Sequence, residues 1–205
     1  MTSPVRVLDV GPLARLLEVP PGSAGAWADA LRSQRLAGVV DVVPAAHTVL
    51  VCCAHRAAAA LVTDRVAEIE VTAADPQAGG HAVEIPVVYD GADLDTVARA
   101  TGLTRDEVVT RHTGSGFRVD FCGFAPGFAY LAGLDVALWL PRRESPRERV
   151  PAGAVAIANE YSAVYPGATP GGWHLLGTTT ARVWDVARDP PSLLEPGVAV
   201  RFVAT

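Results

Sequence analysis

The run Phe121-Cys-Gly-Phe-Ala-Pro-Gly-Phe-Ala-Tyr-Leu-Ala-Gly-Leu-Asp135 decides how the second half of this chain folds. Four of the five phenylalanines fall between Phe117 and Phe128. Six prolines and eight glycines then lie between Gly123 and Gly177. Short β-rich runs at Arg118–Cys122, Ala154–Ala158, Ala181–Val186 and Val198–Val203 alternate with these Gly/Pro turns. Such spacing predicts a small β-barrel or sandwich and not a helical domain.

Upstream the pattern differs. Val5–Val10 and Leu13–Val19, broken by Gly11-Pro12, read as a hairpin or a bent strand. Ser23–Ala37 follows, with Ala26, Trp27, Ala30, Leu31 and Leu36 spaced for one helical face. Val39–Val43 and Thr48–Cys53 are β-rich, Ala57–Val71 reads as a helix, and Val83–Tyr89 as a strand. The order β, α, β, β, α, β predicts a ferredoxin-like α/β sandwich over residues 1–90. Asp75–Gly80 is a polar Pro/Gly linker within it. The expected fold class is therefore α+β, with a second domain over residues 91–205. That domain opens on two short helices meeting at Gly102, the second capped by Thr104 with Glu107 three residues on. The pair resembles a DNA-reading helix-turn-helix. However, Asp106 and Glu107 stand where a reading helix needs donors and positive charge, so a structural helical hairpin is expected.

Composition narrows the chemistry. The 205 residues carry 17 basic side chains, and all are arginine. With no lysine there is no Schiff-base or lipoyl lysine, no Walker-type Gly-Lys-Ser/Thr and no kinase strand lysine. Any anion must be met by arginine, backbone N–H groups, helix N-termini or a metal. A net charge of −5 and a pI near 5.5 argue against a general nucleic-acid binder. No apolar run approaches the roughly 20 residues of a membrane span. The opening MTSPVRVLDV lacks a signal-peptide pattern, so a cytoplasmic protein is expected. Cys52, Cys53 and Cys122 show no CxxC spacing, and the five histidines no metal-ligand spacing. No bound structural metal is expected.

Three stretches carry the candidate chemistry. Gly123 and Gly127 flank Pro126, where backbone N–H groups can cradle a carboxylate or phosphate, or simply make a tight barrel turn. Phe124 and Phe128 read as core or interface in preference to ligand-stacking residues. Arg142, Arg143, Arg147 and Arg149 place four arginines within eight residues, stiffened by Pro141, Pro146 and Pro151. Guanidinium forks suit carboxylate and phosphate, although Glu144 and Glu148 stand close enough in sequence to neutralise them. Tyr165, Pro170, Gly171, Gly172 and Trp173 can wall a small-molecule site or dock a partner, with His174 facing the same pocket. His112 closes the helical hairpin, where the helix dipole favours a protonated imidazole and a structural cap.

The motifs GFxPGFxYLxGL (123–134), PRRxxPRxxVPAG (141–153) and YPxxxPGGW (165–173), with Tyr89-Asp-Gly-Ala-Asp-Leu94 and Glu195-Pro-Gly-Val-Ala-Val-Arg-Phe202, resemble the family of 5-oxoprolinase B subunits. That family includes the kinase inhibitor KipI and the proteins called allophanate hydrolase subunit 1. The resemblance covers nearly the whole chain. It implies a cyclophilin-like barrel for the second domain. It also implies an ATP-dependent hydrolase subunit that opens the lactam of 5-oxo-L-proline to L-glutamate, with ATP and Mg²⁺ as co-substrate and subunits A and C as partners. A KipI-like module that binds a histidine kinase, or an allophanate hydrolase subunit, are the alternatives. Substrate or ATP contacts are expected from Gly123, Phe124, Pro126, Gly127, Phe128, Arg142, Arg143, Arg147, Tyr165, Pro170, Gly171 and Trp173. The candidates for acid or base work are His112, Tyr165 and His174. Two departures stand out. Asn159-Glu-Tyr-Ser-Ala163 replaces the family's Gly-Gly-Gln-Thr-Gly, and Ala154 replaces a serine.

Overall fold

A computed structural model describes residues 5–71 and 82–205. The expected Asp75–Gly80 linker lies outside the described residues. The chain divides into two compact units, Met1–Asp75 and Pro76–Thr205. No described helix is long and apolar enough to cross a membrane.

In the first unit, β1 (Arg6–Asp9) and β2 (Ala14–Glu18) form the expected hairpin. Then come α1 (Ala24–Ser33), β3 (Val39–Pro44), β4 (Thr48–Cys53) and α2 (Arg56–Val66). The sheet order is β1-β2-β4-β3, with every neighbouring pair antiparallel. Period-two alternation along β4 buries Val49, Val51 and Cys53 and leaves Thr48, Leu50 and Cys52 half-buried. The adjacent cysteines therefore face opposite sides of the sheet, and both are free thiols. The buried row meets Trp27, Ala28 and Leu31 of α1 and Ala58, Ala59 and Val62 of α2. Each large apolar side chain fully buried there contributes about 1.5–3 kcal/mol. α1 stops short of Ala37 because Arg35 turns left-handed at φ 46°, a conformation no helix continues through.

Two expectations change here. The βαββαβ order is not what forms. β2, α1 and β3 make a split βαβ with β4 between the two strands, but β1 holds the outer place beside β2. The strand expected to finish that sheet, β5 (Val83–Val87), pairs parallel with the last strand of the chain, Val83 opposite Val200. The boundary expected near residue 90 therefore falls before β5.

The second unit continues with α3 (Leu94–Thr101), α4 (Arg105–Gly114), β6 (Phe117–Cys122), β7 (Ala129–Ala132) and a 3-10 turn at Val136–Leu138. Next are β8 (Arg147–Val150), β9 (Ala154–Ala158), β10 (Tyr161–Val164), β11 (Thr169–Gly171), β12 (His174–Thr178) and β13 (Ala199–Ala204). Seven strands run in the order β12-β9-β10-β7-β6-β13-β5. Val88, just past β5, exchanges backbone hydrogen bonds of 2.9 and 2.8 Å with Thr178 at the end of β12. The two edge strands thus nearly close into a barrel, which removes most of the unpaired edge. Ile85, Val87, Leu131, Val155, Ile157 and Leu176 fill its core together with Phe117 and Phe202. β8 and β11 form a separate two-stranded ribbon.

The helical hairpin packs α3 against β12 and α4 against β13. Its turn residue Gly102 is left-handed at φ 71°, and Thr104 and Glu107 make the reciprocal capping box read from the sequence. Ala181–Val186 does not form a strand. Trp184 makes a single bridge to Ser192, and the Arg188 guanidinium satisfies the carbonyls of Arg182, Val183, Pro190 and Pro191. A side chain there does what a neighbouring strand would otherwise do.

Candidate functional site

The three motifs, far apart in sequence, meet in the second unit. β8 and β11 pair with Arg147 opposite Gly171. The Arg143 amide donates to the Gly172 carbonyl at 2.8 Å, which ties the arginine ribbon to the Pro-Gly-Gly-Trp segment. From the other side Phe128 is edge-on to Tyr165 (centroids 5.2 Å), Trp173 (5.5 Å) and Tyr130 (5.2 Å). Tyr130, half-buried, stacks on Phe121 at 4.2 Å and meets Tyr161 edge-on. Tyr161 donates from its hydroxyl to Asp120 at 3.1 Å. The floor of the site is thus a block of interlocked rings, and such edge-to-face pairs stabilise beyond their buried area.

Individual expectations fare differently. Phe128 is core, at 1% exposure, whereas Phe124 is 63% exposed and holds a left-handed φ of 69°. Of the two readings of the Gly123–Gly127 turn, the internal hydrogen bonds are those of a tight turn. The Gly123, Ala125 and Phe128 N–H groups are already bonded to the carbonyls of Phe128, Gly123 and Ala125. Gly127 is required for another reason. It is left-handed at φ 77°, and a Cβ there would collide with Trp184. Pro126 and Pro170 are exposed, and Arg142 points to solvent. Tyr165 is buried. Burial pushes its phenol up.

His112 is not a protonated cap. It is fully buried, and desolvation pulls its imidazole down to about 3. Its Nδ1 lies 2.7 Å from the Tyr89 hydroxyl and its Nε2 2.9 Å from Ser162 Oγ, which in turn lies 3.3 Å from the Ala156 carbonyl. Only one direction satisfies every group. Tyr89 donates to Nδ1, Nε2–H donates to Ser162, and Ser162 donates to Ala156. Phe117 and Phe202 pack on the ring. This histidine stands in the barrel core, apart from the arginine ribbon.

The decisive residue of the site was not singled out in the sequence. Asp93 precedes α3 but makes no side-chain cap to it. Its side chain, 3% exposed, accepts on Oδ1 from Arg143 Nη1 at 2.6 Å and Arg147 Nη2 at 2.8 Å, and on Oδ2 from the Leu175 N–H at 2.8 Å. Burial opposes its charge. The Arg147 hydrogen bond, the Leu175 amide and the two guanidinium charges outweigh that and hold the carboxyl below its ordinary value. The partner of the ribbon is therefore Asp93, and Glu144 and Glu148 are exposed. His174 stands beside Leu175, 9% exposed, with Nε2 at 2.9 Å from the Pro141 carbonyl. A carbonyl only accepts, so Nε2 carries a proton toward Pro141. Among the described residues no three His, Cys, Asp or Glu side chains gather as a metal cradle.

Comparison with known proteins fits this picture. Residues 13–194 match the carboxyltransferase domain, subdomain C and D. The chain is 40% identical to the B subunit of 5-oxoprolinase from Escherichia coli O157:H7, over 95% of this chain and 93% of that protein. It is 43% identical to the B subunit of 5-oxoprolinase from Bacillus subtilis (strain 168), over 69% of this chain and 59% of that one. Among solved structures, TTHA0988 superposes with a TM-score of 0.77 at 36% identity, over 98% of this chain. This chain spans only 40% of the length of TTHA0988. The urea amidolyase of K. lactis, at 18% identity and a TM-score of 0.70, shares the fold over 98% of this chain and 15% of its own. This chain belongs to the family of carboxyltransferase domain, subdomain C and D, proteins.

Proposed function

We propose that this chain is a subunit of an ATP-dependent 5-oxoprolinase, which hydrolyses the lactam of 5-oxo-L-proline to L-glutamate. The observation that carries the reading is the near end-to-end identity with a 5-oxoprolinase B subunit, 40% over 93% of that protein. A lactam is a poor electrophile. Transfer of a phosphoryl group from ATP to the amide oxygen, with release of ADP, makes the carbonyl carbon electrophilic. Water adds there, and the ring C–N bond breaks with nitrogen leaving as the amine. The acyl phosphate so formed is hydrolysed to the carboxylate and inorganic phosphate. Such transfer is catalysed by positioning and by charge neutralisation. This chain brings arginines and no phosphate loop, so the reading includes subunits A and C as partners in one complex. Mg²⁺ enters the reading as the nucleotide's counter-ion, with ATP as co-substrate. The nearly closed second unit is read as the family's cyclophilin-like barrel, and the protein as cytoplasmic. The aromatic block and the arginine ribbon are its candidate substrate face.

The test is reconstitution. The chain is co-produced with subunits A and C, and glutamate formed from 5-oxoproline and ATP is measured. Turnover well above that of a mixture lacking this chain is expected, and equal turnover would overturn the proposal.

A further inference from the structure

We infer that Asp93 makes Arg143 and Arg147 a receptor for one carboxylate, the carboxylate of 5-oxoproline, and not a site for the phosphates of ATP. This rests on the 5-oxoprolinase reading and deepens it.

The first observation is charge. Two guanidiniums and one carboxylate leave a single positive charge. Asp93 is buried, so its charge is poorly screened. A monoanion neutralises the remainder. A polyphosphate would set several negative charges against a fixed carboxylate with no solvent between them.

The second is geometry. Both arginines donate to the same atom, Oδ1, so neither makes a two-pronged fork with Asp93. Each keeps donors in reserve, and Arg143 Nε and Arg147 Nη1 are buried without a partner. Oδ2 is pinned by the Leu175 amide, so Asp93 orients the pair from a backbone anchor. It is a positioning residue.

The third is where the unsatisfied polar atoms fall. Among the described residues the buried side-chain polar atoms with no partner are Arg143 Nε, Arg147 Nη1, Thr169 Oγ1 and His174 Nδ1. Arg143 and Arg147 belong to the arginine ribbon, Thr169 to β11, and His174 to the start of β12, next to the Pro-Gly-Gly-Trp segment. Buried polar groups are ordinarily paired, so this concentration marks a place that a polar ligand completes. The set combines guanidinium donors with Nδ1 of the nine-tenths buried His174, the ring nitrogen that the Pro141 carbonyl leaves unpaired. A five-membered lactam acid offers the complement, a carboxylate for the arginines and a ring N–H for the imidazole.

Two measurements test this and separate it from the parent reading. In the reconstituted complex, Arg143→Lys and Arg147→Lys keep the charge but lose the fork. Each is expected to raise KM for 5-oxoproline about tenfold while KM for ATP stays within about twofold. An equal or larger rise in KM for ATP, or no change in either constant, overturns the inference. If the wild-type complex forms no glutamate, the parent reading has failed, and binding to the isolated full chain decides the site alone. There, 5-oxoproline is expected to shift the Arg143 and Arg147 Nε–H resonances, and inorganic phosphate at equal concentration is not. No shift with 5-oxoproline, or a larger one with phosphate, overturns it. The resonances are assigned from the same two lysine variants, whose folding is checked by the rest of the amide spectrum.

Discussion

A histidine at the C-terminal end of a helix ordinarily gains from the helix dipole when protonated. His112 does not, because the barrel core closes over it, and desolvation outweighs a dipole worth about 0.3–1 kcal/mol. The consequence appears as acid sensitivity. Between about 3 in the fold and 6.5 in the unfolded chain, the unfolded state holds a proton that the folded state lacks. Stability therefore rises with pH across that window and falls on acidification, by up to about 1.4 kcal/mol per pH unit. Urea unfolding from pH 7 to pH 4 is expected to show this slope. In His112→Gln it is expected to be shallower by close to one proton, although that variant starts lower at neutral pH. An unchanged slope in the variant would assign the acid loss to the carboxylates. The same residue shows what the sequence could not convey. Its position near a helix end was legible, but its burial depends on Tyr89, Ser162 and Phe202, which lie on other elements. Asp93 escaped notice in the same way. It reads as the start of α3, and nothing local says that its carboxylate reaches two arginines some fifty residues away.

Elements were legible where their determinants are local. The start of α4 is specified within one turn. Thr104 Oγ1 accepts from the Glu107 amide at 3.2 Å, and the Glu107 carboxylate accepts from the Thr104 amide at 2.8 Å. The hydrogen bonds from Thr104 hold the Glu107 carboxyl below its ordinary value. Thr104→Ala removes half of this box and is expected to lower stability by about 1 kcal/mol, read from the urea midpoint. Thr104→Ser keeps the hydroxyl and is expected to stay within about 0.5 kcal/mol of the parent. An equal loss in both would show that the methyl group matters and the cap does not. β5 is the contrary case. Val83–Val87 was recognisable as a strand from composition, but its partner was not, because Val200 lies at the far end of the chain. The ferredoxin-like reading assigned it to the nearest sheet. The structure gives the outer place in that sheet to β1, which the short turn around Gly11-Pro12 holds beside β2. The arginine ribbon was found because three prolines mark it, whereas its pairing with β11 is again non-local.

At the scale of the whole barrel, the question is what closes it. The seam between the edge strands includes the Val88–Thr178 bridge, the Gly91 and Asp93 amides on the carbonyls of Leu176 and Leu175, and side-chain bonds from Thr178 Oγ1 to Asp90 and from the Leu175 amide to Asp93. Backbone approaches backbone there more closely than a side chain permits. A Cβ on Gly177 would overlap the Val88 carbonyl oxygen and press on Val87 Cγ1 and Tyr89 Cα. Backbone atoms cannot rotate away as a side-chain end can. Gly177→Ala must therefore shift the seam or break the bridge, and overpacking of this kind typically costs about 1–3 kcal/mol. Gly167→Ala makes the same chemical change where no atom lies within 4 Å, at a glycine without positive φ. It is expected to stay within about 0.5 kcal/mol of the parent. Urea unfolding of the two variants isolates the steric cost of the seam from the general effect of adding a methyl group. Hydrogen exchange of the Val88 and Thr178 amides then locates it. Faster exchange at those two amides in Gly177→Ala alone is the expected result, because each donates across the seam to the other's carbonyl. If Gly177→Ala is as stable as Gly167→Ala and both amides stay protected, the sheet closes with more room than this packing allows. The tether that Asp93 provides, through the Leu175 amide to β12, would then be what holds the edges together.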